Sequence, residues 1–308
     1  MSGADPAGSP RSVVYAFRRD TRVRRAARLV LAERFDQMWS CLPAALEGLA
    51  EAGIHEMRVE AKRVRETMRV FKGAYDAVEF KQVLAVVDQL NDRLGVVRDA
   101  DALVELLADV FRKQPPKLCG AWRDEVTAQR AADLDLLTAH LRELTDQGFE
   151  LSFAHLAKDG RHGSGHRVAG QRLGDFAPLV IGERLRRVAK QLRAVHGEAD
   201  IEGLHRARVY NKHLRYTMEA FLGIGDRRFL EAHRRVVELH KALGDIHDLD
   251  VLDRRLTAYA VAHDELPLAM PALERLAERR AREYGRMKTF LGEAAIAAFS
   301  HAVIDGID

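Results

Sequence analysis

Two cysteines in 308 residues, Cys41 and Cys119, form neither a disulfide framework nor a metal-ligand spacing. They read as small buried hydrophobes in a reducing cytoplasm. Aromatic residues make up only 6% of the chain, and no stretch alternates apolar and polar residues between turn signals, so nothing argues for a β-sheet. No apolar run approaches the length of a membrane span, and the N-terminus lacks the apolar centre of a signal peptide. The expectation is a soluble, cytoplasmic protein without membrane contact. An excess of one charge is missing too: 49 basic and 46 acidic side chains leave a formal charge of +3. An anion-binding role must therefore come from local clustering. There is no Walker-type Gly-rich loop and no Ser or Cys nucleophile elbow, and no cofactor is implied.

What is abundant is Ala, Leu, Arg and Glu, a helix-forming composition. The chain also repeats itself. His55 to Phe71 aligns without a gap on His205 to Phe221, a shift of 150 positions, with His, Arg, Val, Lys, Arg, Thr, Met and Phe in register. A second element, Leu94-Gly95-Val96-Val97-Arg98-Asp99-Ala100-Asp101, recurs 149 positions later as Leu243-Gly244-Asp245-Ile246-His247-Asp248-Leu249-Asp250. Glu33-Arg34 with Glu183-Arg184, and Arg130 with Arg280, also sit 150 apart. A repeat of this length dictates the architecture.

In chain order, residues 1–18 read as a disordered lead-in. Residues 19–158 read as a first helical bundle, 159–174 as a Gly-rich linker and 175–308 as a second bundle. The motif helix is expected from about Ile54 to Lys72, and Asp76 is placed to cap the next one. That helix is expected to stop at Leu94-Gly95, with Asp99 capping its successor, and Gly244 and Asp248 doing the same in the second half. Pro115-Pro116 ends the following helix, and Gly285 and Gly292 are expected to break the C-terminal one. The fold class expected is all-α: two four-helix bundles from an internal duplication, related by pseudo-two-fold symmetry.

A helix turns ~100° per residue, which places Arg58, Lys62, Arg65 and Arg69 at about 300°, 340°, 280° and 320° from His55. Ala61, Val64, Met68 and Phe71 fall on the opposite, core-facing side. The second copy places His205, Arg208, Lys212 and Arg215 on one edge, and Glu219 stands where the first copy has Arg69. The first row is about 21 Å long. Like charges three and four apart repel, so the row needs anions nearby. For one helix alone the plainer source is carboxylates of neighbouring helices or solvent. Two such rows facing one another make a long positive groove suited to a linear, evenly charged ligand. Arg63, Glu56 and Glu60 fall outside the rows and read as ordinary surface.

The paired His-x-x-Arg-x-x-x-Lys-x-x-Arg helices, each followed by Leu-Gly-x-x-(Arg/His)-Asp-x-Asp, resemble the CHAD family, the conserved-histidine α-helical domain. The resemblance covers about residues 20–305. It implies binding of inorganic polyphosphate along a basic central surface, with His55, Arg58, Lys62, Arg65, His205, Arg208, Lys212 and Arg215 as ligands and Arg69 extending the first row. It also implies a place on polyphosphate granules. An alternating Glu-x-Glu-x-Lys strand, the mark of a fused triphosphate-tunnel domain, is missing, so the chain reads as a binding module that does not turn its ligand over. Two alternatives stand beside this. A metal-dependent phosphohydrolase would use His240, His247, Asp248 and Asp250. A non-specific nucleic-acid binder would contact phosphates alone, since no aromatic residues interleave with the rows.

Overall fold

The computed structural model describes residues 17–111, 117–159 and 166–307, and every extended element among them is helical. Residues 1–16 of the expected lead-in, Pro115-Pro116, and Gly160, Gly163 and Gly165 lie outside the described residues. The first half runs α1 (Val23–Trp39), short α2 (Leu42–Leu46), α3 (Glu56–Phe71), α4 (Ala77–Val110), α5 (Lys117–Asp146) and α6 (Phe149–Asp159). Short α7 (His166–Ala169) leads into α8 (Leu173–Arg193), α9 (Ile201–Glu219), α10 (Arg227–Ala262), α11 (Leu266–Met287) and α12 (Glu293–Ile307). Helices α1, α3, α4, α5 and α6 thus recur, in order, as α8 to α12. The stretch read as a linker is helical over α7 and again from Leu173, which puts Gly174 inside α8.

Equivalent residues make equivalent local structure. The Asp76 carboxylate accepts from the Val78 amide at 2.9 Å, and Asp226 accepts from Arg228 and Phe229 at 2.8 and 3.0 Å, capping α4 and α10. One turn of π-helix, Ala50–His55, delivers the chain into α3. Gly53 there packs so tightly that a Cβ would lie 2.5 Å from the Ala44 backbone.

One sequence expectation is corrected. Gly95 and Gly244 do not end helices: α4 and α10 run straight through them for 34 and 36 residues. Asp99 and Asp248 are therefore mid-helix and cap nothing. Gly285 likewise lies within α11, and the break falls at Gly292, whose φ of +94° suits glycine.

The halves clasp reciprocally. The Val23 amide donates to the Gln171 carbonyl and the Leu173 amide to the Thr21 carbonyl, both at 2.9 Å, and these are the same bond exchanged between repeats. One continuous core takes side chains from both halves, and Phe71 meets its equivalent Phe221 edge-on with centroids 5.7 Å apart. A second cluster joins the far ends of α4 and α10: Leu103, Leu107 and Phe111 pack with Leu249, Leu252 and Leu256, and Arg279 pairs with Asp109 at 2.7 Å. In addition to those exchanged bonds, the halves are joined by the α3/α9 contact and this cluster. The motif cations lie between them along each α3–α4 and α9–α10 hairpin.

Candidate functional site

Helices α3 and α9 each bury the stripe the wheel assigned to the core. Met57, Ala61, Val64, Met68 and Phe71 are buried in α3, and Leu204, Ala207, Leu214, Met218 and Phe221 in the second copy. This anchors the helices in rotation and leaves the cation rows half-buried beside the core. Arg58 packs against the Gly95 turn of α4. Its Nη1 donates to the Gly95 carbonyl at 2.8 Å and to Asp99 Oδ1 at 2.6 Å, and a Cβ on Gly95 would lie in ordinary contact with the guanidinium at 3.7 Å. Arg208 repeats the arrangement more loosely, 3.8 Å from the Cβ position of Gly244 and 3.9 Å from Asp248.

Beyond these arginines the rows converge on Lys62 and Lys212. Neither lysine has a carboxylate within 4 Å among the described residues. Burial, then Arg58 and Lys212, push the Lys62 ammonium down to about 7. Burial, then Arg65 and Arg208, push Lys212 down to about 8. Each lysine thus feels cations of the opposite half, which places the two rows face to face. His240 on α10 stands in the same field. Burial, Arg215, Arg208, Lys212 and Lys62 drive it down to about 3, so it is neutral at any ordinary pH. The Nε atoms of Arg58, Arg65 and Arg208 are buried donors with no acceptor among the described residues.

The other ends of the rows are neutralised from within. Arg69 donates to Glu66 at 2.9 Å and to Asp88 at 3.0 Å, while Arg65 lies 3.7 Å from Asp88. Arg215 donates to Glu219 at 2.9 Å. Here a second expectation fails. Arg63 and Glu60 are buried, at 7% and 8% exposure, where ordinary surface was expected. Arg63 crosses to the other half to donate to Glu219 at 2.9 Å, and it also pairs with Glu60. Glu219 does more than interrupt the second row: it is the carboxylate of this clasp, shared with Arg215 and with His233 at 3.7 Å. A second crossing bond joins His213 to Glu66 at 2.8 Å.

His55 and His205 occupy the outer ends and differ. His55 Nδ1 accepts from Arg98 at 2.8 Å, and Arg98 is itself held by Glu105. His205 meets His247, with the two Nδ1 atoms 3.2 Å apart. Burial, Arg208, His205 and Arg254 hold His247 down at about 4.

The metal-centre alternative finds its residues dispersed. Asp250 is bound by Arg280, as its equivalent Asp101 is by Arg130 at 2.6 Å, while His240 and His247 sit among cations. A cation-binding role for Glu51, His55 and Glu56, whose ligand atoms do lie within 4.8 Å of one another, rests on two exposed glutamates and a half-buried histidine. For nucleic acid, Tyr216, the aromatic residue nearest the second row, is buried and offers no stacking face.

Eight of the nine expected ligands thus lie on α3 and α9, with His55 just before α3 at the end of the π-helical turn, and six of the nine, Arg58, Lys62, Arg65, Arg208, Lys212 and His205, border the uncompensated region. Sequence reasoning missed Arg98, Asp99 and Asp248 as neighbours of the site. Their signal was present in the duplicated Leu-Gly element, which was read as a helix boundary.

Comparison with known proteins gives a consistent picture. The family model of the CHAD domain matches residues 29–257. Uncharacterized protein Rv2226 of Mycobacterium tuberculosis is 27% identical over 190 residues, covering 57% of this chain and 35% of that protein. The chain thus spans about a third of the length of this relative. Among solved structures, the CHAD domain from the plant Ricinus communis superposes with a TM-score of 0.68 at 19% identity, covering 96% of this chain and 97% of the other. PptA from Streptomyces chartreusis does so with a TM-score of 0.60 at 17% identity, covering 92% and 99%. At these identities the structural likeness establishes the fold.

Proposed function

The chain belongs to the CHAD family, and from that premise we propose that it binds inorganic polyphosphate between the cationic rows of α3 and α9 and does not turn it over. The carrying observation is the crowding of Lys62 and Lys212, neither with a carboxylate within 4 Å among the described residues, beside the buried, acceptor-less Nε donors of Arg58, Arg65 and Arg208. Burial and neighbouring cations push both ammonium groups down. A fold gains nothing from pressing two lysines into a region lined by Arg58, Arg65 and Arg208. The same crowding favours an incoming chain of phosphoryl anions, which restores both ammonium charges and gives the open guanidinium donors acceptors. Two rows, contributed by two helices, suit several successive anionic units better than one. The proposed setting is the cytoplasm, on polyphosphate granules.

Titration with long-chain polyphosphate, orthophosphate and single-stranded DNA at matched salt tests this. The expected order is polyphosphate well ahead of both others, with a binding constant that falls steeply with salt. Equal affinity for DNA would leave a general polyanion binder. Release of orthophosphate from the bound chain in the presence of Mg²⁺ or Mn²⁺ would overturn the binding-only part.

A further inference from the structure

The pseudo-two-fold axis exchanges the outer ends of the two rows, yet the residues around those ends are not equivalent. Around His55 stand Glu51, Glu56 and Glu105 with one guanidinium, Arg98. Arg98 is already held by both carboxylate oxygens of Glu105, at 3.2 and 3.1 Å. The equivalent positions around His205 carry Ile201, Arg206, Arg254 and His247. Glu202 is paired with Arg206 there at 3.3 Å. At equivalent positions one end thus carries Glu51, Glu56 and Glu105 with Arg98, and the other Ile201, Arg206 and Arg254 with His247, although Asp99 of the first half also acts on His247. The charges that weigh most on His205, namely Arg208, Lys212, Arg254 and Arg206, are all cations of its own half.

Neither end is neutralised by the row it borders. The Arg58 charge behind His55 is matched by Asp99 at 2.6 Å, whereas Arg208 behind His205 is 3.9 Å from Asp248. Arg208 is also the more exposed of the two, at 25% against 16% for Arg58. The asymmetry at the rim therefore continues inward in the same sense.

We propose that the site has a polarity: an anionic chain is captured at the His205–Arg206–His247–Arg254 end, while the Glu51–Glu56–Glu105 end repels it. This rests on the polyphosphate reading above and adds a direction of entry to it. A rim charge acts chiefly on the rate of encounter, because it steers an approaching ion over a distance without being part of the final contact. A linear polyanion that enters from one end then has its leading segment between Lys62 and Lys212, with the trailing chain left on the His205 side.

Stopped-flow association of the full chain with long-chain polyphosphate at low and moderate salt tests the polarity. Arg254 is exposed, so Arg254→Glu is compatible with the fold, and it is expected to slow association about tenfold at low salt. Glu51→Gln with Glu56→Gln is expected to change the wild-type rate by no more than about twofold, since that end is not the main entrance. In the Arg254→Glu background the same pair is expected to restore part of the lost rate by opening the second end. Equal effects from the two rims, or an unchanged rate for Arg254→Glu, would overturn the polarity. Failure of the wild-type chain to associate at all would instead overturn the polyphosphate reading.

Discussion

Replacing Lys62 and Lys212 together by methionine is expected to raise the melting temperature while weakening long-chain polyphosphate binding by about 100-fold or more. The two effects have opposite signs because the same charges are unfavourable in the free protein and favourable in the complex. Methionine matches the length of the lysine stem and removes the buried ammonium. One pKa unit of depression corresponds to about 1.4 kcal/mol against the charged form. Water still reaches both side chains, so the combined gain is about 1–2 kcal/mol, a rise of roughly 2–3 °C for a chain of this length. In the complex each ammonium contributes a charge-assisted hydrogen bond of about 1.5–3 kcal/mol to phosphoryl oxygen. A structural pair of lysines would behave in the reverse way, with the double variant melting lower and binding as wild type. Differential scanning calorimetry beside a binding titration distinguishes the outcomes.

The second large effect concerns the clasp. Glu219→Leu is expected to cost about 3–5 kcal/mol, because it leaves the buried Arg63 guanidinium without its partner across the two halves. Urea unfolding at pH 7 measures this. The clasp also sets an acid limit. Against the effect of burial, the His233 imidazole at 3.7 Å, then Arg63 and Arg215, hold the Glu219 carboxyl far below its ordinary value of 4.5. His213 does the same for Glu66 by hydrogen bond and charge, again against burial. A carboxyl whose folded value is depressed stabilises the fold fully above its unfolded value and loses that contribution as pH falls below it. The wild-type protein should therefore lose stability as pH drops through 4.5 and below, and Glu219→Leu should show a shallower loss over that range. If Glu219 merely shortened the second row, the variant would keep its stability and bind polyphosphate more tightly.

The rows were legible in the sequence because two independent regularities coincide there. Helical periodicity separates Arg58, Lys62 and Arg65 from Val64, Met68 and Phe71, and the shift of 150 shows that the separation is repeated. The all-α class and the cap at Asp76 followed from composition and local pattern for the same reason: their causes lie within a few residues. What a single-helix reading lacked was the other half of the molecule. Arg63 lies at about 80° on the wheel, between core stripe and cation row, and looks exposed until α9 covers it. Gly95 and Gly244 look like helix ends because glycine is costly within a helix. Here they lie mid-helix against arginines 37 and 36 residues earlier in the chain, and such a contact carries no local signal.

The most direct test of the central claim is the proton balance of binding. The lysines have folded values of about 7 and 8 against an ordinary 10.5. In the free protein at pH 8, Lys62 is therefore mostly neutral and Lys212 about half so. A polyanion lying between them returns both to the charged state, so binding must take up protons, and affinity must fall as pH rises from 7 to 9. Stability of the free protein moves the opposite way over that window. Unfolded lysines hold their protons while the folded ones have lost them, so the free fold gains stability as pH rises. Calorimetric titration of long-chain polyphosphate at pH 8, in two buffers with different heats of ionisation, counts the protons. Uptake of about one to one and a half protons per site is expected, and it should disappear in the methionine pair. Binding with no proton uptake, unchanged in that variant, would place the ligand elsewhere and contradict the account.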